Sequence, residues 1–322
     1  MATSTWPKTL QQAIVYFSNP ETAFAEMVKF RWPDGVVKCP TCGSDEVYFT
    51  KSRRIWQCKN IHEKRQFSVK VGSIMEDSAL GIDKWLIAVW LITSAKNGIS
   101  SYELARSIGV TQKSAWFMLH RIRLAMQDED GGKLGGHVEV DETFIGARSR
   151  NMHADKRRRM GMSKGRGGLG KAAVMGLLER HSKDGHSKVR VRAIGKSLNK
   201  SAMQGIVREH VEAGANLYTD DFGSYRGLGQ DFIHGVINHA ERYVDGQVHT
   251  NAIENFWSLL KRTLKGTYVS VEPFHLFRYL DEQAFRFNMR KMTDAARFAL
   301  TAGSVFGKRL TFAQLTAADT TC

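Results

Sequence analysis

Several acidic residues in the second half of the chain lie at positions that their predicted secondary structure does not favour. The segment HVEVDETFIG alternates as a β-strand does. Val138 and Val140 share one face, and Glu139, Asp141 and Thr143 share the other. Carboxylates are poor strand formers, so two of them in mid-strand indicate a role beyond the fold.

Two later segments add further acids. ANLYTDDFGSY predicts a strand that breaks at Asp220 and Asp221. HTNAIENFWSLLKR predicts a helix in which Glu254 and Lys261 are separated by about 700° of rotation, so that they point in almost the same direction. Carboxylate oxygens are the ligands that Mg²⁺ prefers. Glu254 is therefore a candidate for the last carboxylate of a metal site.

Glu254 also has a purely structural explanation. Asn251 at the helix start and Glu254 three residues later have the spacing of a capping box. The two roles are compatible, because the first turn of a helix keeps a carboxylate ionised, as a metal ligand must be. Apolar residues at helical spacing predict the buried stripe of this helix: Ile253, Phe256, Trp257, Leu260 and Leu264.

The order of the predicted elements indicates how the acids are positioned. HVEVDETFIG, AAVMGLLER and SKVRVRAIG predict three strands, which precede a helix over 201–213, the strand ending at Asp220, and closing helices. This is the order of a ribonuclease H-like α/β domain. In that fold an acid on the first strand and one at the end of the fourth lie side by side, and a third comes from a later helix.

Near the N-terminus, cysteines and a histidine have metal-ligand spacing. Cys39, Cys42, Cys58 and His62 form the pattern Cys-x2-Cys-x15-Cys-x3-His, which is close to that of structural zinc sites. A reducing compartment argues against disulfides. The alternative is ordinary cysteines with a surface His62, and Cys322 is expected to take no part.

Short alternating segments surround these ligands. VYFTKSRRIWQC predicts a hairpin and RQFSVKVGSI another strand, which together make a zinc ribbon. So small a unit gains much of its folding energy from the metal. Basic residues on its surface make nucleic acid the expected contact: Lys51, Arg53, Arg54, Lys59, Lys64 and Arg65.

The next segment has the pattern of a helix-turn-helix. An apolar helix ends at Gly98, Ser100 and Glu103 form a capping box, and Gly109 marks the turn before a helix capped by Thr111. In the last helix the residues expected to face inward are Ala115, Met118, Leu119 and Ile122.

The outward residues of this last helix are candidates for DNA contact. Gln112, Lys113 and Ser114 are placed to reach base edges, and Arg121 and Arg123 to touch phosphates. A plain helical bundle without DNA contact is the alternative.

The charge of the chain favours a polyanionic partner. Lys and Arg number 47 against 32 Asp and Glu, which gives +15 and a pI near 9.7. The charge is concentrated in RSRNMHADKRRRMGMSKGRGGLGK, predicted to be a loop over 147–171 that follows phosphates through Arg157, Arg158 and Arg159. Alternatives are an evenly solvated basic surface or a membrane surface, although no amphipathic helix accompanies the loop.

Targeting features are not apparent. No segment has the ~18–20 uninterrupted apolar residues of a membrane span, and MATSTWPKTLQQAIVYF lacks the features of a signal peptide. We therefore expect a cytoplasmic, nucleoid-associated protein without a membrane partner.

Several of these segments together resemble a known family. HVEVDETFIG, YTDDFGSY and HTNAIENFWSLLKRTLKGTY followed by RYLDEQAFRFN are similar to the catalytic blocks of bacterial insertion-sequence DDE transposases. The segment from CPTCG to QFSVKVGSI is similar to the zinc ribbon of the ISXO-like branch. The resemblance extends from about Phe24 to about Asn288.

The resemblance implies a catalytic triad of Asp141, Asp220 and Glu254, with Lys261 as the accompanying basic residue. Glu142 and Asp221 adjoin the proposed ligands and are easily confused with them. The triad would hold two Mg²⁺ (or Mn²⁺) ions, and Lys261 a phosphate at the donor end. Many zinc ribbons have cysteine where this chain has His62.

The implied function is that of a transposase. It would bind transposon terminal inverted repeats, cleave DNA, and join the freed 3′-hydroxyl to target DNA, acting as at least a dimer because two ends must be brought together. One alternative is a catalytically inactive, domesticated DNA-binding regulator, and another is a metal-dependent nuclease that cuts without joining.

The sequence thus predicts a multidomain α+β protein with a ribonuclease H-like catalytic domain. The expected boundaries are an N-terminal helical segment at 1–30, a zinc ribbon at 31–78, a helix-turn-helix at 79–130, the catalytic domain at 137–300 and a tail at 301–322.

Overall fold

The computed structural model describes residues 6–128, 132–146, 155, 171–181, 185–194, 199–237 and 248–317. The chain divides into two compact units. The first joins the residues up to Gln127 to Lys291–Ala317, and the second is formed by Asp128–Arg290. Among the described helices, none combines the length and apolar character that crossing a bilayer requires.

The first unit is mainly helical. Its helices are α1 (Leu10–Phe17), α2 (Pro20–Arg31), α3 (Ile82–Ser94), α4 (Ser101–Ile108), α5 (Gln112–Ala125), α9 (Asp294–Gly303) and α10 (Phe312–Thr316). A small antiparallel sheet of β1 (Val47–Thr50), β2 (Ile55–Cys58) and β3 (Gln66–Phe67) has the order β1-β2-β3. These are the predicted ribbon strands.

The ribbon packs against α2 through aromatic rings. Trp56 on β2 stacks on Phe24 of α2 at 5.6 Å and on Phe67 of β3 at 5.9 Å between ring centroids. Trp32, which directly follows α2, meets Trp56 edge to face at 5.2 Å. Aromatic burial thus supplements the small ribbon, which has few other side chains to form a core.

Helices α4 and α5 begin at the caps that the sequence predicts, and α4 ends at the predicted turn. The hydroxyls of Ser100 and Thr111 accept hydrogen bonds from Glu103 N and Ser114 N, at 3.1 and 3.2 Å. Gly109 ends α4 with a positive φ of 62°, a conformation that glycine adopts without strain. The four residues predicted to face inward from α5 are all buried: Ala115, Met118, Leu119 and Ile122.

Arg121 is buried, although it was predicted to face outward and touch a phosphate. Only 5% of this residue is exposed, and its guanidinium donates to the carbonyl oxygens of Leu310, Ile74 and Glu76, each at 2.9 Å. The predicted phosphate contact is therefore wrong, because the donors of Arg121 bind backbone inside the first unit. Arg123 is buried as well.

The C-terminal residues belong with the N-terminal helices. Phe298 of α9 contacts Trp90 of α3 and Phe17 of α1, with ring centroids 5.0 and 5.2 Å apart, and Ile74 N donates to Val305 O at 3.0 Å. The structure therefore divides the chain differently from the predicted boundaries, since residues 291–317 complete the core of the first unit.

The second unit contains a five-stranded sheet of order β6-β5-β4-β7-β8. The strands are β4 (His137–Ile145), β5 (Ala172–Arg180), β6 (Lys188–Ala193), β7 (Asn216–Asp220) and β8 (Ile233–Ile237). β4, β5 and β6 pair antiparallel, whereas β7 is parallel to β4 and to β8. This mixed sheet is the predicted ribonuclease H-like arrangement.

Helices cover both faces of this sheet: α6 (Lys200–His210) lies on one, and α7 (Asn251–Thr263) and α8 (Leu276–Asn288) on the other. Val138 and Val140 of β4 pack with Met203 and Val207 of α6. The five residues predicted as the buried stripe of α7 pack on the opposite face, as expected. The strand alternation therefore directs Glu139 and Asp141 toward α7.

Arg121 generates a stability prediction. Replacing it in Arg121→Ala removes three hydrogen bonds from a charged donor and leaves buried carbonyl oxygens, which should cost about 2–4 kcal/mol of unfolding free energy. Urea unfolding of the full chain measures this. The control is Lys113→Ala, which removes an exposed charge from the same helix. An Arg121→Ala protein of unchanged stability but weakened DNA binding would restore the phosphate role.

Candidate functional site

An acidic cleft lies between β4 and α7. Its volume is about 590 Å³, and one wall is acidic while the other is mostly basic. The lining residues are Asp141, Glu142, Thr143, Glu254, Trp257, Ser258, Lys261, Arg262 and Lys265. We call this cavity the acidic cleft.

Asp141 is held in a defined orientation. Its Oδ1 accepts from Glu142 N at 2.8 Å, and its Oδ2 accepts from Trp257 Nε1 at 2.9 Å. Burial raises the pKa of Asp141 to about 6, the two hydrogen bonds oppose this rise, and the negative charges of Asp220 and Glu254 add to it. The three acids on separate elements thus lie close enough to act on one another.

Glu142 is a further acid of the cleft. Tyr225 Oη donates to its Oε2 at 2.7 Å. Burial raises the pKa of Glu142 to about 7, and the charges of Asp220 and Asp141 act in the same direction. Glu142 was expected only to adjoin the proposed ligands, because no pattern in the sequence distinguishes its burial from that of Asp141.

The two acids at the end of β7 differ in environment. Asp220 is half-buried, and its Oδ1 accepts from Phe222 N at 3.2 Å. Asp221 is exposed, and its Oδ1 lies 3.8 Å from Arg226 Nη2. Of these two acids, Asp220 is the one whose charge raises the pKa of Asp141.

The start of α7 differs from the capping box that was the alternative explanation for Glu254. Thr250 is the N-cap and Asn251 is the first helical residue. Glu254 N donates to Thr250 O at 3.1 Å, as in any helix, while Ile253 N donates to Glu139 Oε2 at 2.8 Å. The carboxylate that caps this helix therefore comes from β4. Glu254 is exposed and lines the acidic cleft.

The basic wall follows α7. Lys261 is exposed and lines the cleft with Glu254, as the helical spacing predicts. Lys265, already on the predicted polar stripe, and Arg262 extend this wall. Acidic and basic side chains thus line the same open cleft. Such a cleft suits a substrate that carries phosphate, because the basic side chains can bind the phosphate directly and the acidic ones can bind it through cations.

A glycine makes room for the indole that holds Asp141. Gly176 pairs with Asp141 across β5 and β4. A Cβ at Gly176 would lie 2.6 Å from Trp257 Cζ2 and 2.8 Å from Ile253 Cδ1. From the sequence, Trp257 was expected only to be a core residue. The signal for this close approach was the glycine inside the apolar strand AAVMGLLER.

The zinc ligands lie together in the ribbon. The ligand atoms of Cys39, Cys42, Cys58 and His62 are all within 4.8 Å of one another. Cys39 Sγ is 3.4 Å from His62 Nε2, and Cys42 Sγ is 3.6 Å from Cys58 Sγ. Tetrahedral zinc places two sulfurs about 3.8 Å apart and sulfur and nitrogen about 3.6 Å apart. Donor type and spacing therefore fit a structural zinc ion, with His62 as fourth donor.

Gln112, Lys113 and Ser114, which were predicted to reach base edges, lie together at the start of α5. Gln112 Nε2 donates to Ser101 Oγ at 2.9 Å, Ser114 is bonded to Thr111, and the exposed Lys113 lies 4.8 Å from the ring of Phe312. Arg157, Arg158 and Arg159 lie outside the described residues.

Comparison with known families adds to this geometry. The family described as "ISXO2-like transposase domain" matches residues 133–288, and the family described as "Transposase zinc-ribbon domain" matches residues 18–60. The chain belongs to the ISXO2-like transposase family. The two matches contain the acidic cleft of the second unit and the first three zinc donors of the ribbon.

Two relatives illustrate the reach of this family. An uncharacterized protein in transposable element ISH50 of Halobacterium salinarum is 29% identical over 258 residues, which cover 77% of this chain and 84% of the relative. An uncharacterized transposase-like protein of Haemophilus influenzae is 33% identical over 93 residues, 29% of this chain and 75% of its own.

Solved structures show only remote likeness. A chain of the simian T-cell lymphotropic virus intasome in complex with PP2A regulatory subunit B56 gamma has a TM-score of 0.26 and 13% identity, covering 56% of this chain and 63% of that chain. A chain of the Mos1 strand transfer complex has a TM-score of 0.22 and 11% identity, covering 62% and 74%.

The zinc cluster generates a prediction about metal content. The purified protein should contain one zinc per chain, and Cys58→Ser should lose it and unfold the ribbon, because zinc binding supplies folding free energy. His62→Cys should retain zinc, since four thiolates also form a structural site. Elemental analysis and thermal unfolding measure both, with Cys322→Ser as the control. Full zinc content in Cys58→Ser would contradict the assignment.

The raised pKa of Asp141 generates a pH prediction. A carboxyl whose pKa is higher in the folded state favours folding while protonated, so its contribution is lost as pH rises through about 6. In metal-free buffer, wild-type unfolding free energy should therefore fall by about 1.5 kcal/mol more than that of Asp141→Asn between pH 5 and pH 8. Thermal unfolding measures the two slopes.

The control for this pH series is Asp221→Asn, which removes an exposed carboxylate next to the same site. Its slope should equal that of the wild type. Identical slopes for Asp141→Asn and wild type would show that the Asp141 carboxyl is not destabilised by burial.

Proposed function

We propose that this protein is an active transposase that cleaves DNA at transposon ends and joins the freed 3′-hydroxyl to target DNA. Its family membership supports the reaction class. The observation that carries the proposal is the position of Asp141 in a cleft with Glu254 and a basic wall, where the charges of Asp220 and Glu254 both raise its pKa. A buried carboxyl whose pKa is raised by two neighbouring carboxylates, as that of Asp141 is, needs a cation to be stable in ionised form.

The acids would hold two divalent cations, Mg²⁺ or Mn²⁺. When bound, the two cations activate the attacking oxygen and stabilise the leaving oxygen of a phosphodiester. Asp141, Asp220 and Glu254 would be the residues that hold these cations. Trp257 Nε1 and Glu142 N leave lone pairs of Asp141 available, because each of its oxygens accepts only one of these bonds.

The basic wall would bind the DNA backbone. Lys261 lines the cleft about two helical turns after Glu254, and its ammonium would bind a phosphate next to the reacting one. Arg262 and Lys265 would continue the contact along the strand. These charges also offset the repulsion between the acids and the polyanionic substrate.

DNA selection would belong to other surfaces. The zinc ribbon and the α4–α5 pair, interpreted as a helix-turn-helix, would bind the terminal inverted repeats, with Gln112, Lys113 and Ser114 at the start of α5. The basic run with Arg157, Arg158 and Arg159 would follow phosphates of donor or target DNA. Since two transposon ends react together, the working form would be at least a dimer.

The decisive test is cleavage and joining of DNA that carries the sequences flanking the gene, with Mg²⁺ or Mn²⁺. Wild type should nick these ends and join them to target DNA, while Asp141→Asn and Glu254→Gln should lose at least roughly a hundredfold in rate, as expected when a group that stabilises the transition state is removed. Asp221→Asn is the matched control and should retain activity.

The alternatives give different outcomes. A domesticated regulator would bind the ends without cutting them, under any divalent cation. A nuclease would cut with the same dependence on Asp141 but yield no joined product. Cleavage that persists in Glu254→Gln would remove Glu254 from the metal site.

A further inference from the structure

A buried ion pair lies beside the acidic cleft and is not used by the proposed reaction. Glu139 of β4 is fully buried, and Arg180 at the end of β5 has a side chain only 9% exposed. Arg180 Nε donates to Glu139 Oε1 at 2.5 Å. The cation also lies over the ring of Tyr218 on β7, 4.6 Å from its centroid.

Both members of this pair bind the start of α7. Glu139 Oε2 accepts from Ile253 N at 2.8 Å. Arg180 Nη2 donates to His249 O at 2.6 Å and to His249 Nδ1 at 2.8 Å. Burial and the charge of Arg180 lower the pKa of His249, which favours the neutral ring whose Nδ1 accepts. The ion pair therefore fixes the residues on both sides of Thr250.

The same contacts set the geometry of two proposed metal ligands. Glu139 is two residues from Asp141 on the same face of β4, a distance of about 6.8 Å along the strand. Ile253, which Glu139 binds, directly precedes Glu254. A single carboxylate thus links the strand that carries one ligand to the helix that carries another.

Stability alone does not explain such a pair. Removing two charges from water is costly, and well-packed apolar residues in place of a buried ion pair often leave stability unchanged or increase it. A carboxylate at a helix start also interacts favourably with the helix dipole. Glu139 can make this interaction only when the first turn of α7 lies at one position along the sheet. Apolar packing tolerates sliding of a helix, whereas these directional bonds do not.

We propose that Glu139 and Arg180 are positioning residues, which lock the first turn of α7 onto β4 and β5 and so set Glu254 at the correct distance from Asp141 for cation binding. This inference rests on the proposed function. It assigns the pair a role in cation affinity that is separate from its effect on folding, because neither residue lines the acidic cleft.

The test is a double variant, Glu139→Met with Arg180→Met, which removes both charges and keeps apolar volume. The matched control is Glu282→Met with Arg286→Met. That pair is also buried, with side chains 1% and 8% exposed, and bonded within α8, away from the start of α7. The readout is Mn²⁺ affinity of the full-length protein by calorimetry and electron paramagnetic resonance, without DNA.

The expected result is a loss of Mn²⁺ affinity of about tenfold to a hundredfold in the Glu139/Arg180 variant, the range for residues that orient metal ligands. Hydrogen exchange should increase in the segment from His249 to Asn255 of the same protein. The control should bind Mn²⁺ as wild type does, whatever its melting temperature. Equal Mn²⁺ affinity in both folded variants would overturn the proposal.

If the double variant does not fold, Glu139→Gln provides the second measurement. Glutamine has one side-chain oxygen, so it cannot accept from both Arg180 Nε and Ile253 N as the two oxygens of Glu139 do. This variant should therefore lose Mn²⁺ affinity while remaining folded. Wild-type affinity in folded Glu139→Gln would also overturn the proposal. Failure of the proposed function is distinguishable, since wild type would then bind Mn²⁺ no better than Asp141→Asn does.

Discussion

The contact between Glu139 and the first turn of α7 is the interaction on which the second unit's cleft depends. It joins a strand and a helix that are 114 positions apart in the chain. Without it, packing by Trp257 and Phe256 would hold α7 on the sheet but not specify where along the sheet its first turn lies. Gly176 also helps to position α7 on the sheet, because only a residue without a side chain leaves room for Trp257 this close to Asp141.

The cleft that results is electrostatically unfavourable by itself. Burial and mutual repulsion raise the pKa of Asp141 to about 6 and that of Glu142 to about 7. The structure tolerates this cost because hydrogen bonds from Trp257 and Tyr225 hold the carboxyl groups in place. In the proposed function, carboxyl groups that are held in place before cations bind would need no further rearrangement during the reaction.

The first unit shows the same dependence on remote contacts. Its ribbon is small, and its core is extended by aromatic packing on α2. Arg121 binds the carbonyls of Ile74 and Leu310, residues far apart in sequence, and Phe298 completes the core around Trp90. The C-terminal residues therefore have a structural role in the unit that carries the ribbon.

Local patterns in the sequence were sufficient for most of the elements and for the zinc donors, although they did not predict strand β8. Strand alternation predicted the faces of β4, helical spacing predicted the buried stripe of α7, and cysteine spacing predicted the zinc cluster, since each depends on residues close in the chain. The assignment of Asp141, Asp220 and Glu254 as ligands stays a prediction, which the structure makes testable.

Only the tertiary structure decided which polar groups pair. The sequence assigned the cap of α7 to Asn251 and a phosphate contact to Arg121, because nearby residues are the only partners that a linear pattern reveals. In the fold, the carboxylate of Glu139 caps α7, and the guanidinium of Arg121 donates to backbone carbonyls instead of a phosphate. Burial makes the difference: a polar group removed from water must find a partner in three dimensions, and for these groups the partner lies on another element.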